Sequence, residues 1–185
     1  MHILIASDSF KDALPAREVC LALERGIRAA LPEAQTTVCP LADGGEGTMR
    51  ILADTLGLEA VEMKAADPLM RPRKSTYYLS ADGQTAFVEM AETAGLQLLT
   101  PGERNPMETT TYGVGQQFVD AMKRGVSKFI LAIGGSATND AGMGLATALG
   151  YDFLDADNQP LDPIGASLDR VYTILMPSKM PKLDV

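Results

Sequence analysis

Three polar segments of this chain carry residue types suited to group transfer. They are Asp8-Ser9-Phe10-Lys11, Asp43-Gly44-Gly45-Glu46-Gly47-Thr48 and Gly134-Gly135-Ser136-Ala137-Thr138-Asn139-Asp140, each following a short strand-like run. Phosphoryl transfer needs backbone N–H groups around phosphate oxygens, a cation for developing charge, carboxylates to hold Mg²⁺ and one carboxylate to take a hydroxyl proton. Glycines bring the backbone close to a ligand, and N–H groups at a helix start carry the positive end of the helix dipole. The hydroxyls of Ser136 and Thr138 add donors, Lys11 is the cation, and Asp8, Asp43, Glu46 and Asp140 are the carboxylates.

Each of these residues also has a plainer reading. Asp43 before glycines suits a turn, and Glu46 suits a cap on the helix that follows. Asn139 or Asp140 suits a helix cap, as does the cluster Thr109 to Thr111. Lys11 beside Asp12 suits a solvated pair. Glu89 is more pointed, because a carboxylate ending an apolar strand needs a partner or water. With His2 the single histidine, histidine triads and zinc sites are close to excluded within this chain, and acid–base work falls to carboxylates or lysine. Neither a Walker A sequence nor a dinucleotide fingerprint is present.

The elements that would position these loops follow from hydrophobic pattern. The apolar run Phe129 to Ile133 reads as a buried parallel strand passing through the glycine loop into a small-residue helix, Ala141 to Leu149. Earlier, His2 to Ala6 reads as a first strand and Pro15 to Ala30 as a helix with Val19, Leu23 and Ile27 on one face. Thr36 to Cys39 reads as a second strand, and Met49 to Leu56 as a helix closed by Gly57. Then the pattern changes: Ala60 to Lys64, Lys74 to Ser80 and Thr85 to Met90 read as a meander with a hairpin at Asp82-Gly83. A helix at about Gln116 to Lys123 and a strand at Tyr151 to Leu154 complete the reading. The βα alternation implies an α/β fold, interrupted by the meander. Three parts follow: 1–58, 59–106 as a candidate piece of a second, smaller domain, and 107–185, which carries the Gly134 loop. In an open α/β sheet the ligand crevice lies outside the carboxyl ends of the strands, so the three loops can converge.

Composition bounds the partners. The 185 residues carry a net charge of −8, with 46% apolar and 22% charged residues, an ordinary balance for a globular domain. A nucleic acid or anionic membrane would need a local basic patch, and the densest basic group, Arg71-Pro72-Arg73-Lys74, reads as a solvated loop. No run approaches the roughly 18 apolar residues of a membrane span. Cys20 and Cys39 lack metal-like spacing, so a reduced, cytoplasmic setting is the expectation.

The motifs also carry a likeness. Asp8 to Lys11, Ala42 to Thr48, Val88-Glu89-Met90-Ala91, Arg104-Asn105-Pro106 and Gly134 to Asp140, in this order and spacing, resemble the bacterial glycerate kinase family, the ATP-dependent glycerate 2-kinases, from Met1 to about Asp157. The resemblance implies a flavodoxin-like parallel sheet with helices on both faces, interrupted by a smaller mixed α/β insertion. It implies a kinase that uses ATP and Mg²⁺ to phosphorylate D-glycerate to 2-phosphoglycerate, with 3-phosphoglycerate the other product to consider. Members of this family are much longer, so the chain reads as an N-terminal portion, with a missing C-terminal half or a homo-oligomer as the partners to consider. Similarity thins after Asp157, where Pro163-Ile164-Gly165-Ala166 is a poor version of a glycine-rich loop.

On this reading the site comprises Ser9, Gly44, Gly45, Glu46, Gly47, Thr48, Glu89, Gly134, Gly135, Ser136, Thr138 and Asn139, binding ATP phosphates or the glycerate carboxylate. Lys11 neutralises charge, Asp43 is the leading metal ligand, and Asp8 or Asp140 takes the hydroxyl proton. Two other classes compete: an anion-binding module without turnover, and a receiver-like domain in which Asp8 accepts a phosphoryl group.

Overall fold

The computed structural model describes residues 1–10 and 13–179. Strand β1 (His2–Ile5) pairs in parallel with β2 (Gln35–Val38), Ile3 opposite Thr36 and Ile5 opposite Val38. The pairing runs on past both strands, since Cys39 N donates to Ile5 O and Leu41 N to Ser7 O. Helix α1 (Ala16–Ala30) connects them and buries Ala16, Val19 and Cys20. Pro15 precedes it in an extended conformation, where its fixed φ and missing N–H cost nothing.

Helix α2 (Thr48–Leu56) ends at Gly57, whose φ of +66° closes the last turn in the left-handed region that favours glycine. Strands β3 (Glu59–Ala66), β4 (Pro72–Leu79), β5 (Thr85–Glu89) and β6 (Lys128–Ala132) form one sheet in that order. The first three are antiparallel, and β6 lies parallel to β5 with Glu89 opposite Ala132. The meander and the central strand thus share a sheet. The reason is β5, whose side chains are buried on both faces and need cover from both sides.

Helix α4 (Tyr112–Lys123) covers one face. There Val61, Tyr77, Val88, Val114, Phe118 and Phe129 form the main core, with Phe118 and Phe129 stacked at 4.2 Å between ring centroids. Helix α2 covers the other face with Met49 against Phe87 and Ala132. The short helices α3 (Met90–Ala94) and α5 (Met143–Ala148) flank α4. A methyl group added at Gly115 would stand 2.6 Å from Leu145 O, so glycine lets α4 and α5 meet closely. Strands β7 (Asp152–Leu154) and β8 (Thr173–Leu175) make a separate antiparallel pair, the second of them unmarked in the sequence pattern. Cys20 and Cys39 are free thiols. No helix among the described residues is long and apolar enough to cross a membrane.

Candidate active site

Parallel pairing brings the carboxyl ends of β1 and β2 side by side, and with them Asp8 and the loop from Asp43 to Thr48. The same logic sets Glu89, at the end of β5, beside the start of the Gly134 loop. The two glycine loops then meet: Gly134 N donates to Gly44 O at 2.8 Å. A methyl group on Gly134 would lie 2.7 Å from both Gly44 O and Gly45 N, and one on Gly45 would lie 3.8 Å from Gly135 N. At Gly134 only a residue without a side chain allows the backbones this near, whereas the Gly45 contact is ordinary packing.

Within the first loop, Asp43 Oδ1 accepts from Gly45 N at 2.9 Å and Thr48 Oγ1 accepts from Gly44 N at 3.1 Å. Asp43 is exposed, and its second oxygen has no partner among the described residues. Glu46 is also exposed and makes no capping bond. The carboxylate that holds the start of α2 comes from far along the chain: Glu89 accepts from Gly47 N at 2.9 Å and Met49 N at 3.0 Å. Glu89 thus finds the partners its apolar setting demands, and it is 7% exposed. Burial pushes its carboxyl above the usual range, the two N–H groups pull the other way, and neighbouring Glu92 and Glu46 push it up again.

The Gly134 loop is pinned on its other sides. Leu96 N donates to Gly135 O and Ala137 N to Ala94 O, while Thr109 Oγ1 donates to Ala137 O at 2.8 Å. Ser136 and Thr138 share a hydroxyl hydrogen bond of 2.8 Å, and Asn139 is exposed. Gly165 packs behind it, where a methyl group would meet Asn139 O at 3.0 Å and Pro106 O at 2.6 Å. The weak glycine segment near residue 165 thus braces the loop from behind.

Asp140 is 1% exposed and fully engaged. Its Oδ2 accepts from Thr111 N and Thr111 Oγ1, both at 2.8 Å, and from Gly144 N at 3.0 Å, while Oδ1 accepts from Gly142 N at 3.1 Å. Of the readings open to it, the helix cap is the one with geometry behind it, and Thr111 is the partner that sequence alone did not supply. Asp8 is partly buried, and its Oδ1 accepts from Ser9 N at 2.6 Å. Lys11 lies outside the described residues.

Beside the first loop a polar cleft of about 350 Å³ opens between the first turn of α2 and the face of β4. Arg50, Arg73, Tyr78, Glu92 and Gln97 line it together with Glu46. Nothing in the sequence pattern marks Arg50, while Arg73, read there as part of a solvated basic loop, lies instead on β4; the two come together only when α2 packs across the sheet. Among the described residues no group of three or more His, Cys, Asp or Glu side chains is arranged to hold a metal.

A sequence profile described as the glycerate kinase family matches residues 3–185. The chain belongs to this family. It is 44% identical over 183 residues to a glycerate kinase of Haemophilus influenzae, covering 99% of this chain and 48% of that one. It is 40% identical over 184 residues to a glycerate 2-kinase of Escherichia coli, covering 99% and 48%. Among solved structures, a candidate glycerate kinase 2 from Salmonella typhimurium superposes with a TM-score of 0.72 at 40% identity, over 94% of this chain and 47% of that one. The chain spans about half the length of the curated relatives it matches.

Proposed function

We infer that this chain supplies the phosphate-handling rim of a glycerate kinase, which transfers the terminal phosphoryl group of ATP to a hydroxyl of D-glycerate. The observation that carries the reading is the Gly134–Gly44 hydrogen bond, which joins two glycine-rich loops at one strand-end rim beside Asp8. The chain's membership of the family supports it. The E. coli relative's name favours the 2-hydroxyl, giving 2-phosphoglycerate. The parallel β1–β2 pair with its connecting helix is in keeping with a flavodoxin-like sheet completed by further strands.

In this reading the two loops hold anionic groups, phosphates or carboxylate, against their backbones. Asp43 is the residue assigned to hold Mg²⁺, because it is exposed and has an oxygen to spare. When bound, the cation offsets the charge on the phosphates. Asp8 takes the hydroxyl proton in preference to Asp140, whose oxygens are already occupied. Asp140 positions the loop, Glu89 positions the start of α2, and Lys11 is assigned to neutralise developing charge.

The test is phosphorylation of D-glycerate with MgATP, the product identified by ³¹P NMR, by this chain alone and by a polypeptide that joins it to the remaining half of a relative. Turnover in the joined polypeptide, lost in Asp43→Asn and Lys11→Met, is the expected result. Wild-type turnover in both variants removes the role assignments, and no turnover in the joined wild type removes the kinase reading. The half-length match favours a second reading for the chain by itself, an anion-binding module. ATP binding without turnover by the 185-residue chain is its signature.

A further inference from the structure

Three buried side chains each keep an oxygen without a hydrogen-bond partner among the described residues: Ser75 Oγ, Thr93 Oγ1 and Gln117 Oε1. They are 2%, 0% and 0% exposed. A buried polar atom left unpaired is costly, so each calls for a partner. The three come from β4, α3 and α4, and contacts between these elements bring them to one place. Strand β5 pairs with β4 only at Tyr78 and Leu79, and after Glu89 its chain turns into α3. On the side that β5 leaves, Thr76 is served by side chains. Its N–H donates to Glu92 of α3 at 3.0 Å, and its carbonyl accepts from Gln117 Nε2 of α4 at 3.3 Å. Ser75 precedes Thr76 and shares the sheet face of Tyr77, which packs in the core with Val114 and Phe118 of α4. Helix α3 closes the third side: a methyl group on Gly113, one helical turn before Gln117, would lie 2.9 Å from Thr93 Cβ.

We propose that a structural water molecule is bound between Ser75, Thr93 and Gln117, tying α3 and α4 to the part of β4 that β5 leaves unpaired. The donors and acceptors fit such a guest. Gln117 must turn its Nε2 to the Thr76 carbonyl, because an amide oxygen could not bond there, so its Oε1 faces elsewhere and only accepts. Each hydroxyl can donate or accept. A water can therefore donate to Gln117 Oε1 and to one hydroxyl while accepting from the other, which gives the roughly three bonds usual for a buried water. All three atoms belong to uncharged side chains, which suits a neutral guest better than an ion. Helix α3 also braces the Gly134 loop, since Ala94 O accepts from Ala137 N at 2.8 Å, so the water lies against an element that holds the candidate site. The inference is independent of the kinase chemistry, because it concerns the packing of α3, α4 and β4.

The experiment is a high-resolution crystal structure of this chain, paired with ¹⁷O magnetic relaxation dispersion, which counts long-lived waters in solution. The expected result is density for a water within hydrogen-bond distance of all three oxygens. In Ser75→Ala/Thr93→Val, which leaves the water a single partner, the dispersion amplitude is expected to fall by the share of one molecule. Thr93→Val alone gives a further readout, because it removes the hydroxyl while keeping the shape. If that hydroxyl bonds a water, the urea midpoint falls; if it is unpaired, the midpoint rises. The proposal is overturned by direct hydrogen bonds among the three side chains with no water between them, by an amplitude that the double variant leaves unchanged, or by a midpoint that Thr93→Val raises. Should the double variant fail to fold, the wild-type density and the Thr93→Val midpoint decide the matter.

Discussion

The amide of Gly134 meets the carbonyl of Gly44 at 2.8 Å, and the hydrogen bond joins loops from distant parts of the chain. A single methyl group would forbid it. Gly134→Ala places Cβ 2.7 Å from Gly44 O and Gly45 N, against backbone that cannot swing away as a side chain can. The expected cost is about 1–3 kcal/mol, as for other overpacked sites. Urea unfolding reads it, and in the joined polypeptide turnover falls at least as steeply as stability.

Asp140 offers a sharper distinction between holding a loop and moving a proton. Asp140→Ala leaves the donors on Thr111 and Gly144 buried without an acceptor, each such loss costing about 1–3 kcal/mol, and frees the part-buried amide of Gly142. Asp140→Asn keeps the shape and one acceptor, so it should cost less. If Asp140 only positions the loop, the pH dependence of kcat in the asparagine variant keeps the wild-type inflection. Loss of the acidic-limb inflection would make Asp140 the base.

Ala141 sits at φ +51°, in the left-handed region, directly after that carboxylate. A side chain there costs about 1–2 kcal/mol that glycine does not pay. Ala141→Gly is accordingly expected to stabilise the fold by about 1 kcal/mol, less the added flexibility of glycine in the unfolded chain. A higher urea midpoint with an unchanged slope is the measurement that bears this out.

Stability should also respond to pH through Glu89 and Glu92. Both carboxyls are raised, chiefly by burial, so the folded state holds protons that the unfolded chain has released. Their contribution is fully present below the ordinary carboxylate value of about 4.5 and is lost as pH rises through the raised values. Unfolding free energy measured from pH 4.5 to 7 should therefore decline more in the wild type than in Glu92→Gln, which cannot titrate. Equal slopes would remove this account.

Cation dependence tests Asp43. Asp43→Asn keeps an oxygen for Gly45 N, so stability should stay within about 0.5 kcal/mol, as for ordinary surface changes. In the joined polypeptide, kcat should fall by orders of magnitude and the Mg²⁺ concentration for half-maximal rate should rise.

The sequence by itself determined the local pieces, because their signals are local. Pro15 opens α1, Gly57 closes α2, Asp82-Gly83 turns the hairpin, and the glycines of the two loops mark where backbone must come close. It also made plain that Glu89 needs a partner, since a carboxylate on an apolar strand is costly unpaired. Which partner it takes depends on how α2 lies on the sheet, and that packing sets Glu89 against the amides of Gly47 and Met49 while Glu46 points to solvent. Tertiary structure likewise chose the cap for Asp140 by bringing Thr111 to it, and joined the meander to β6 through the two-sided burial of β5. The apolar run at Phe129 to Ile133 signals a strand covered on both sides. Only the fold reveals that Ile130 and Ile133 remain in water, because cover comes from neighbours in space that no short stretch of sequence names.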